Sequence, residues 1–146
     1  MSTTLVCVEP AKAPEIWPHV RDMLARAFSI GRADDTIESV ESSVLAGRSL
    51  LWIAWDSVAK EILAAATTML TQVPTAKVCI VTSCGGRSNE QQWGARWQGL
   101  LDGIERYAAA ECCDAMRIYG RPGWQRVLKG YSQPWITLEK RLAHAG

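Results

Sequence analysis

The sequence predicts an α/β domain, an α+β arrangement in which a central mixed sheet carries helices on both faces. Three observations carry this. Residues 78–131 read in order as an apolar strand, a Gly-containing loop, a long amphipathic stretch, a second strand, and a second Gly-flanked loop opening a short helix. A strand, crossover helix and strand of this length is the βαβ unit of a parallel pair. Residues 50–55, LLWIAW, form a continuous apolar run too short for a helix, the signature of a strand covered on both faces. Polar residues at 56–61 and Pro74 then cut the chain between 50 and 83 into strands short enough to join as hairpins.

In chain order, residues 3–8 alternate weakly and form a first strand that Pro10 stops. Ile16, Val20, Met23, Leu24, Ala27 and Phe28 stand at helical spacing, with Arg21, Asp22 and Arg26 opposite. Pro14 and Pro18 restrict where that helix begins, since proline is tolerated in a first turn. Asp34 or Asp35 caps a second helix carrying Ile37, Val40, Val44 and Leu45, and Gly47 ends it. The strand at 50–55 follows. Residues 62–72 are rich in alanine, but the Thr pair and the short turns make them its antiparallel partner. A further strand occupies 78–83. The longest helix is the clearest element: Trp93, Trp97, Leu100, Leu101, Ile104, Tyr107 and Ala108 make one apolar stripe. A short strand at 114–119, a helix at 124–129 ended by Gly130, and a last strand at 135–140 complete the order βααβββαβαβ. The whole of 1–146 reads as a single domain.

Composition narrows the function classes. A formal net charge of +1 offers no field for nucleic acid or an anionic membrane. No apolar run approaches the ~20 residues of a membrane span. The opening residues lack a basic region followed by an apolar core, so no secretory signal is expected. Five cysteines, Cys7, Cys79, Cys84, Cys112 and Cys113, form no CxxC pair; a reducing cytoplasm with free thiols and no metal site is expected. Seven tryptophans against one phenylalanine point to core and subunit contact, a possible homodimer, with Trp93 or Trp124 as candidates for a ligand groove.

Chemistry concentrates on the crossover unit. Its first loop leads into a helix start, where free backbone N–H groups and the helix dipole favour an anion. Arg87 and Arg121 each follow a glycine at a strand end, and parallel strands bring those ends to one edge, so both could reach one anionic ligand. Cys84, just before Gly85 and Gly86, is either a nucleophile or a small strand-end residue; no histidine near it in sequence would lower its pKa.

The order of elements, with LWIAWDSVAKEILAAATTML as a strand hairpin, QQWGARWQGLLDGIERYAAAECCDAMRIYG as loop, helix and strand, and WQRVLKGY as a last helix leading to Gly130 and Tyr131, resembles the GNAT N-acetyltransferase superfamily. CGGR followed by GRPGW is also similar to phage and prophage proteins of GNAT-like fold. The resemblance implies a GNAT-like fold and an N-acetyltransferase that uses acetyl-CoA on an amine, small-molecule or protein. Its alternative is a catalytically inactive, phage-associated binding or virion-component protein. It implies that the cofactor lies between the strands ending at Ser83 and Tyr119. The cofactor-binding positions are then Ser83, Cys84, Gly85, Gly86, Arg87, Gln92, Gly94, Ala95 and Arg121. Within the family's phosphate motif Gln92 and Ala95 match, Gly94 fits with a one-residue slip, and Trp97 stands where a small residue is usual. Residues 78–83 hold no Asp or Glu for the amine's proton, and the family's Tyr position in the last helix is Arg126. The catalytic candidates are therefore Tyr119, Tyr131 and Cys84.

Overall fold

The apolar runs of the middle third become the centre of a five-stranded sheet. The computed structural model describes residues 3–29, 35–86, 93–119 and 128–143, the side chains of 27–29 and 93–97 excepted. Strands β1 (Thr3–Val8), β2 (Leu50–Asp56), β3 (Glu61–Val73), β4 (Ala76–Gly86) and β5 (Ala115–Ile118) lie side by side in chain order. The first four pair antiparallel and β5 pairs parallel to β4. This is the meander and single crossover that the sequence predicts.

Each face of the sheet has its own helix layer. Helix α1 (Ala13–Ser29) and helix α2 (Ile37–Leu45) cover one face, where Trp17, Val20, Leu24, Val40 and Val44 pack with Leu51, Ile53 and Ala65. Helix α3 (Trp93–Ala110) covers the other, setting Leu100, Leu101, Ile104 and Ala108 against Trp52, Ala66, Cys79 and Val81. Alternate β2 residues thus face opposite layers, which explains its unbroken apolar run. The alanines of β3 have a matching cause: Ala65 and Ala66 are fully buried on opposite faces, and their small side chains let helices approach both. Burying one Leu or Ile of this core is worth roughly 1.5–3 kcal/mol before entropy is charged against it.

The crossover is pinned at its base. Asp114 N donates to Lys77 O at 2.7 Å, Lys77 N to Asp114 Oδ2 at 2.9 Å, and Lys77 Nζ to Glu111 O at 2.6 Å. Just before, Cys112 takes a left-handed φ of 62° while Cys113 N bonds Ala108 O and Cys112 N bonds Ala109 O. That is a Schellman stop, built on a cysteine instead of the usual glycine.

Several sequence expectations are corrected. The cap of α2 is Thr36, whose hydroxyl accepts from Ser39 N at 3.1 Å; Asp35 sits one position early and accepts from Thr36 N instead. Asp34 lies outside the described residues. Pro18 is accommodated inside α1, beyond its first turn. The last strand expected at 135–140 is not formed: residues 131–143 carry no regular element. Alternation alone cannot make a strand without a ladder, and here Ile136 and Leu138 stay exposed while the ring of Trp135 lies 5.2 Å from the Arg117 guanidinium. Of the short helix expected at 124–129, residues 124–127 lie outside the described residues; Leu128 is irregular, and Lys129 and Gly130 form a turn. No helix among the described residues is long and apolar enough to cross a membrane.

Candidate functional site

The pairing of β4 with β5 runs from Val78 opposite Ala115 to Val81 opposite Ile118 and stops there. Strand β4 continues to Gly86. Among the described residues, the backbone of 82–86 therefore has no ladder partner on the β5 side. The base of the crossover is pinned at Lys77 and Asp114, so the unpaired stretch of β4 lies at the other end of the pair. A strand edge of this kind offers N–H and C=O groups to any extended ligand that carries amides of its own.

A β-bulge marks the same point. Thr67 of β3 stands opposite Ser83 but Thr68 stands opposite Val81, so Thr82 is the extra residue. The bulge reverses the alternation of β4: Cys79 and Val81 face α3 before it, and Cys84 faces α3 after it. Thr82 and Ser83 both turn towards Thr67. Thr67 Oγ1 lies 2.7 Å from Thr82 Oγ1 and 2.5 Å from Ser83 Oγ, while Thr82 Oγ1 also donates to Thr67 O at 3.2 Å. Thr67 is fully buried and Ser83 nearly so, hence this trio is a fixed polar cluster and not a solvated surface. Since Thr82 donates to Thr67 O, Thr67 donates to Thr82 and Ser83 to Thr67, leaving lone pairs on Ser83 free to hold a water. Thr67 and Thr82 were not among the residues singled out from sequence. The signal was present in the hydroxyl doublets 67–68 and 82–83, which interrupt otherwise apolar strands.

The sequence-predicted residues separate around this point. Ser83 belongs to the trio. Gly85 opposes Ala65 and lies against α1, where a Cβ would come 2.0 Å from the Met23 carbonyl oxygen; close helix packing alone requires a glycine there. Gly86 opposes Ala64 at the strand's end. The half-buried Cys84 thiol packs on the α3 side, and burial pushes it up to about 12 from 9.0, so it is held protonated at neutral pH. Tyr131 packs on α3 and its hydroxyl donates to Glu105 Oε2 at 2.8 Å; burial first, and that hydrogen bond second, raise its pKa well above the usual range. Glu105 lies twelve residues along α3 from Trp93, roughly 18 Å at 1.5 Å per residue, so this hydroxyl is committed far from the helix start. Tyr119 directly follows β5 and is exposed, beside the end of the β4–β5 ladder. Gly94 and Ala95 fall in the first turn of α3, where backbone N–H groups lack helical acceptors. Arg87, Gln92 and Arg121 lie outside the described residues, as does Trp124; the side chains of Trp93 and Trp97 are likewise not described.

Comparison with solved structures places this architecture. It is similar to a GNAT family acetyltransferase from Staphylococcus aureus subsp. aureus, at a TM-score of 0.65 with 12% identity over 97% of this chain and 100% of that one. It is similar to an aminoglycoside acetyltransferase from an uncultured soil metagenomic sample, solved with sisomicin, at a TM-score of 0.71 with 8% identity over 98% of this chain and 97% of that one. A predicted acetyltransferase from Clostridium acetobutylicum, solved with acetyl-CoA, matches at a TM-score of 0.64 with 14% identity over 94% and 96% of the two chains. No protein-family model and no curated protein matches the sequence. At these identities the likeness is one of fold: the chain has the mixed-sheet fold of the GNAT acetyltransferases.

Proposed function

We propose that this chain, which has the GNAT acetyltransferase fold, is an N-acyltransferase that uses acetyl-CoA on an amine. The observation that carries the reading is the end of the β4–β5 ladder at Val81 and Ile118, beside the bulge at Thr82 and upstream of the α3 N-terminus. The residues present fit the cofactor: an unpaired strand edge at 82–86 suits a pantetheine arm with two amides, and the first turn of α3 suits a pyrophosphate. Gln92, Gly94 and Ala95, with Arg87 and Arg121, are proposed to hold those phosphates. Acetyl-CoA would supply an acyl carbon activated as a thioester, open to attack by an amine nitrogen.

The chain's own part is to bind, orient and manage protons. Strand β4 contains no carboxylate. The Thr67–Thr82–Ser83 trio can hold a water but its hydroxyls are far too weakly basic to take a proton near neutrality. The amine is proposed to arrive neutral or to lose its proton to solvent. Tyr119 is the proposed proton donor, because it is exposed at the open end of the strand pair. A second reading, a binding protein of this fold without catalysis, is favoured by that missing carboxylate and by the protonated Cys84.

Calorimetric titration with acetyl-CoA tests the proposal. Binding is expected, weakened by Arg87→Ala and Arg121→Ala. Neither heat nor thermal shift at millimolar ligand would sink it. Acetyl transfer to a panel of amines then separates the two readings. If transfer occurs, its rate should climb with pH towards the pKa of the amine; a plateau near a carboxylate pKa would contradict the account given to the hydroxyl trio.

A further inference from the structure

On the α3 side of the sheet, next to the bulge, lies a cavity of about 220 Å³ lined by Gly47, Arg48, Leu50, Thr68, Leu70 and Tyr107. Its construction follows from the sequence. Helix α2 ends at Ala46, and Gly47 takes a φ of +79°, which turns the chain sharply into β2. Arg48 N and Ser49 N both bond to Ser43 O, fixing that turn at the cavity rim. Leu50 and Leu70 present apolar walls from neighbouring strands. The Tyr107 ring is held edge-to-face against Trp52, with centroids 5.2 Å apart at 65°. Trp52 Nε1 in turn donates to the buried Thr68 Oγ1 at 2.9 Å. The Tyr107 wall is thus tied through Trp52 to Thr68.

None of the lining residues is acidic, although the Glu111 carboxylate just past the end of α3 lies near enough to act on Tyr107. The Arg48 guanidinium has no hydrogen bond or ion pair among the described residues, and the Tyr107 hydroxyl has no hydrogen-bond partner among them. Burial holds the Tyr107 phenol protonated, aided by Glu111 one turn along α3 and by Cys79, Cys7 and Cys113, so the group is a donor at neutral pH. A cation, a free donor and two leucines converge on a space smaller than the roughly 300 Å³ at which drug-sized sites begin.

We propose that this cavity is a binding site for a small monocarboxylic acid with an apolar body, its carboxylate on Arg48 and Tyr107 and its hydrocarbon against Leu50 and Leu70. Charge-assisted hydrogen bonds from a guanidinium favour a carboxylate over a neutral oxygen. Burial of a short chain or a single ring against two leucines supplies the remainder. The proposal stands without the acyltransferase reading, since none of the lining residues belongs to the unpaired edge of β4, although Thr68 stands opposite Val81 beside the bulge.

The experiment uses the full chain with hexanoate and phenylacetate as probes, and hexanol and 2-phenylethanol as their neutral counterparts. Binding is read by saturation-transfer NMR and calorimetry without acetyl-CoA. The acids should bind at least tenfold more tightly than the alcohols. Arg48→Ala should abolish that preference, and Tyr107→Phe should reduce it several-fold. Arg48 is exposed, so its removal leaves the fold intact, and unchanged circular dichroism confirms this. Acids that bind no better than alcohols overturn the proposal, as does full affinity in Arg48→Ala. If acids bind but Leu70→Trp, which fills the cavity, leaves affinity unchanged in a folded protein, they bind elsewhere and the site is lost.

Discussion

Replacing Gly85 by alanine separates packing from ligand binding at the open end of the sheet. Gly85 opposes Ala65 and lies directly beneath α1. The added methyl carbon would stand 2.0 Å from the Met23 carbonyl oxygen and 2.8 Å from its carbon, both backbone atoms. Ordinary contact begins at 3.4 Å, so helix and strand must separate by about 1.4 Å at that point. No side-chain rotation can relieve a clash with a carbonyl, and α1 is held by Val20 and Leu24, both without exposed surface. Overpacking a tight core commonly costs about 1–3 kcal/mol, and a backbone obstacle belongs at the upper end. At about 2–4 °C per kcal/mol for a chain of this size, Gly85→Ala should lower Tm by roughly 6–12 °C. Gly99→Ala is the control: among the described residues, and apart from the helix's own backbone, no atom lies within 4 Å of its Cβ position, and the change inside a helix should stabilise by up to about 1 kcal/mol. Melting by circular dichroism and urea midpoints read both. A Gly85→Ala protein that melts with the parent refutes the packing argument, and if it also loses acetyl-CoA binding, the glycine serves the ligand instead.

Thr67→Val keeps the shape of the trio's central residue but strips its hydroxyl, leaving the buried Ser83 without its partner; urea unfolding should show a loss of about 1–3 kcal/mol. Tyr131→Phe should cost about 1 kcal/mol through the lost bond to Glu105 yet leave any acetyl transfer unchanged, and a rate loss in the folded variant would restore that hydroxyl to the catalytic candidates. The buried thiols set an alkaline limit. Folding raises Cys84 to about 12 and Cys79 to about 11 from 9.0, so the unfolded chain loses these protons first as pH rises. The associated stability is complete below pH 9 and is lost above it, at up to about 1.4 kcal/mol per pH unit for each thiol. Urea midpoints should fall from pH 9 upward, less steeply in Cys84→Ala; equal slopes in the two proteins would remove Cys84 from the account.

What could be read from the sequence was whatever rested on period and length. The run at 50–55, the helix stripe from Leu100 to Ala108 and the crossover to β5 all report burial, and burial is what arranges those elements in the fold. Failures came where a neighbour decides. Alternation at 135–140 describes a strand that would need a ladder, and no periodicity specifies one. Thr36 outcompetes the aspartates because capping depends on which hydroxyl meets the N–H two or three residues on, a matter of a single position. Gly85 looked like ligand-permissive backbone in sequence. Only the path of α1 above it, set by contacts far away in the chain, gives the glycine its packing cause.

The bulge explains why the candidate site itself was only half legible. Strict alternation assigns Cys79, Val81 and Ser83 to one face, and with them places Cys84 opposite. One extra residue at Thr82 exchanges those assignments, sending Cys84 under α3 and Ser83 towards α1. The thiol that looked reactive by position thereby becomes a core group with its proton held, while two hydroxyls that looked incidental gather on Thr67. The polar trio and the reversal of faces are then consequences of one inserted residue. Deleting Thr82 should accordingly remove the bulge and leave Cys84 on the α3 side, because Val81, Ser83 and Cys84 then alternate without an extra residue. Cys84 of the folded deletion variant should react with a thiol reagent no faster than in the parent. A folded deletion variant whose Cys84 reacts much faster would show that Thr82 is not the residue that sets the faces.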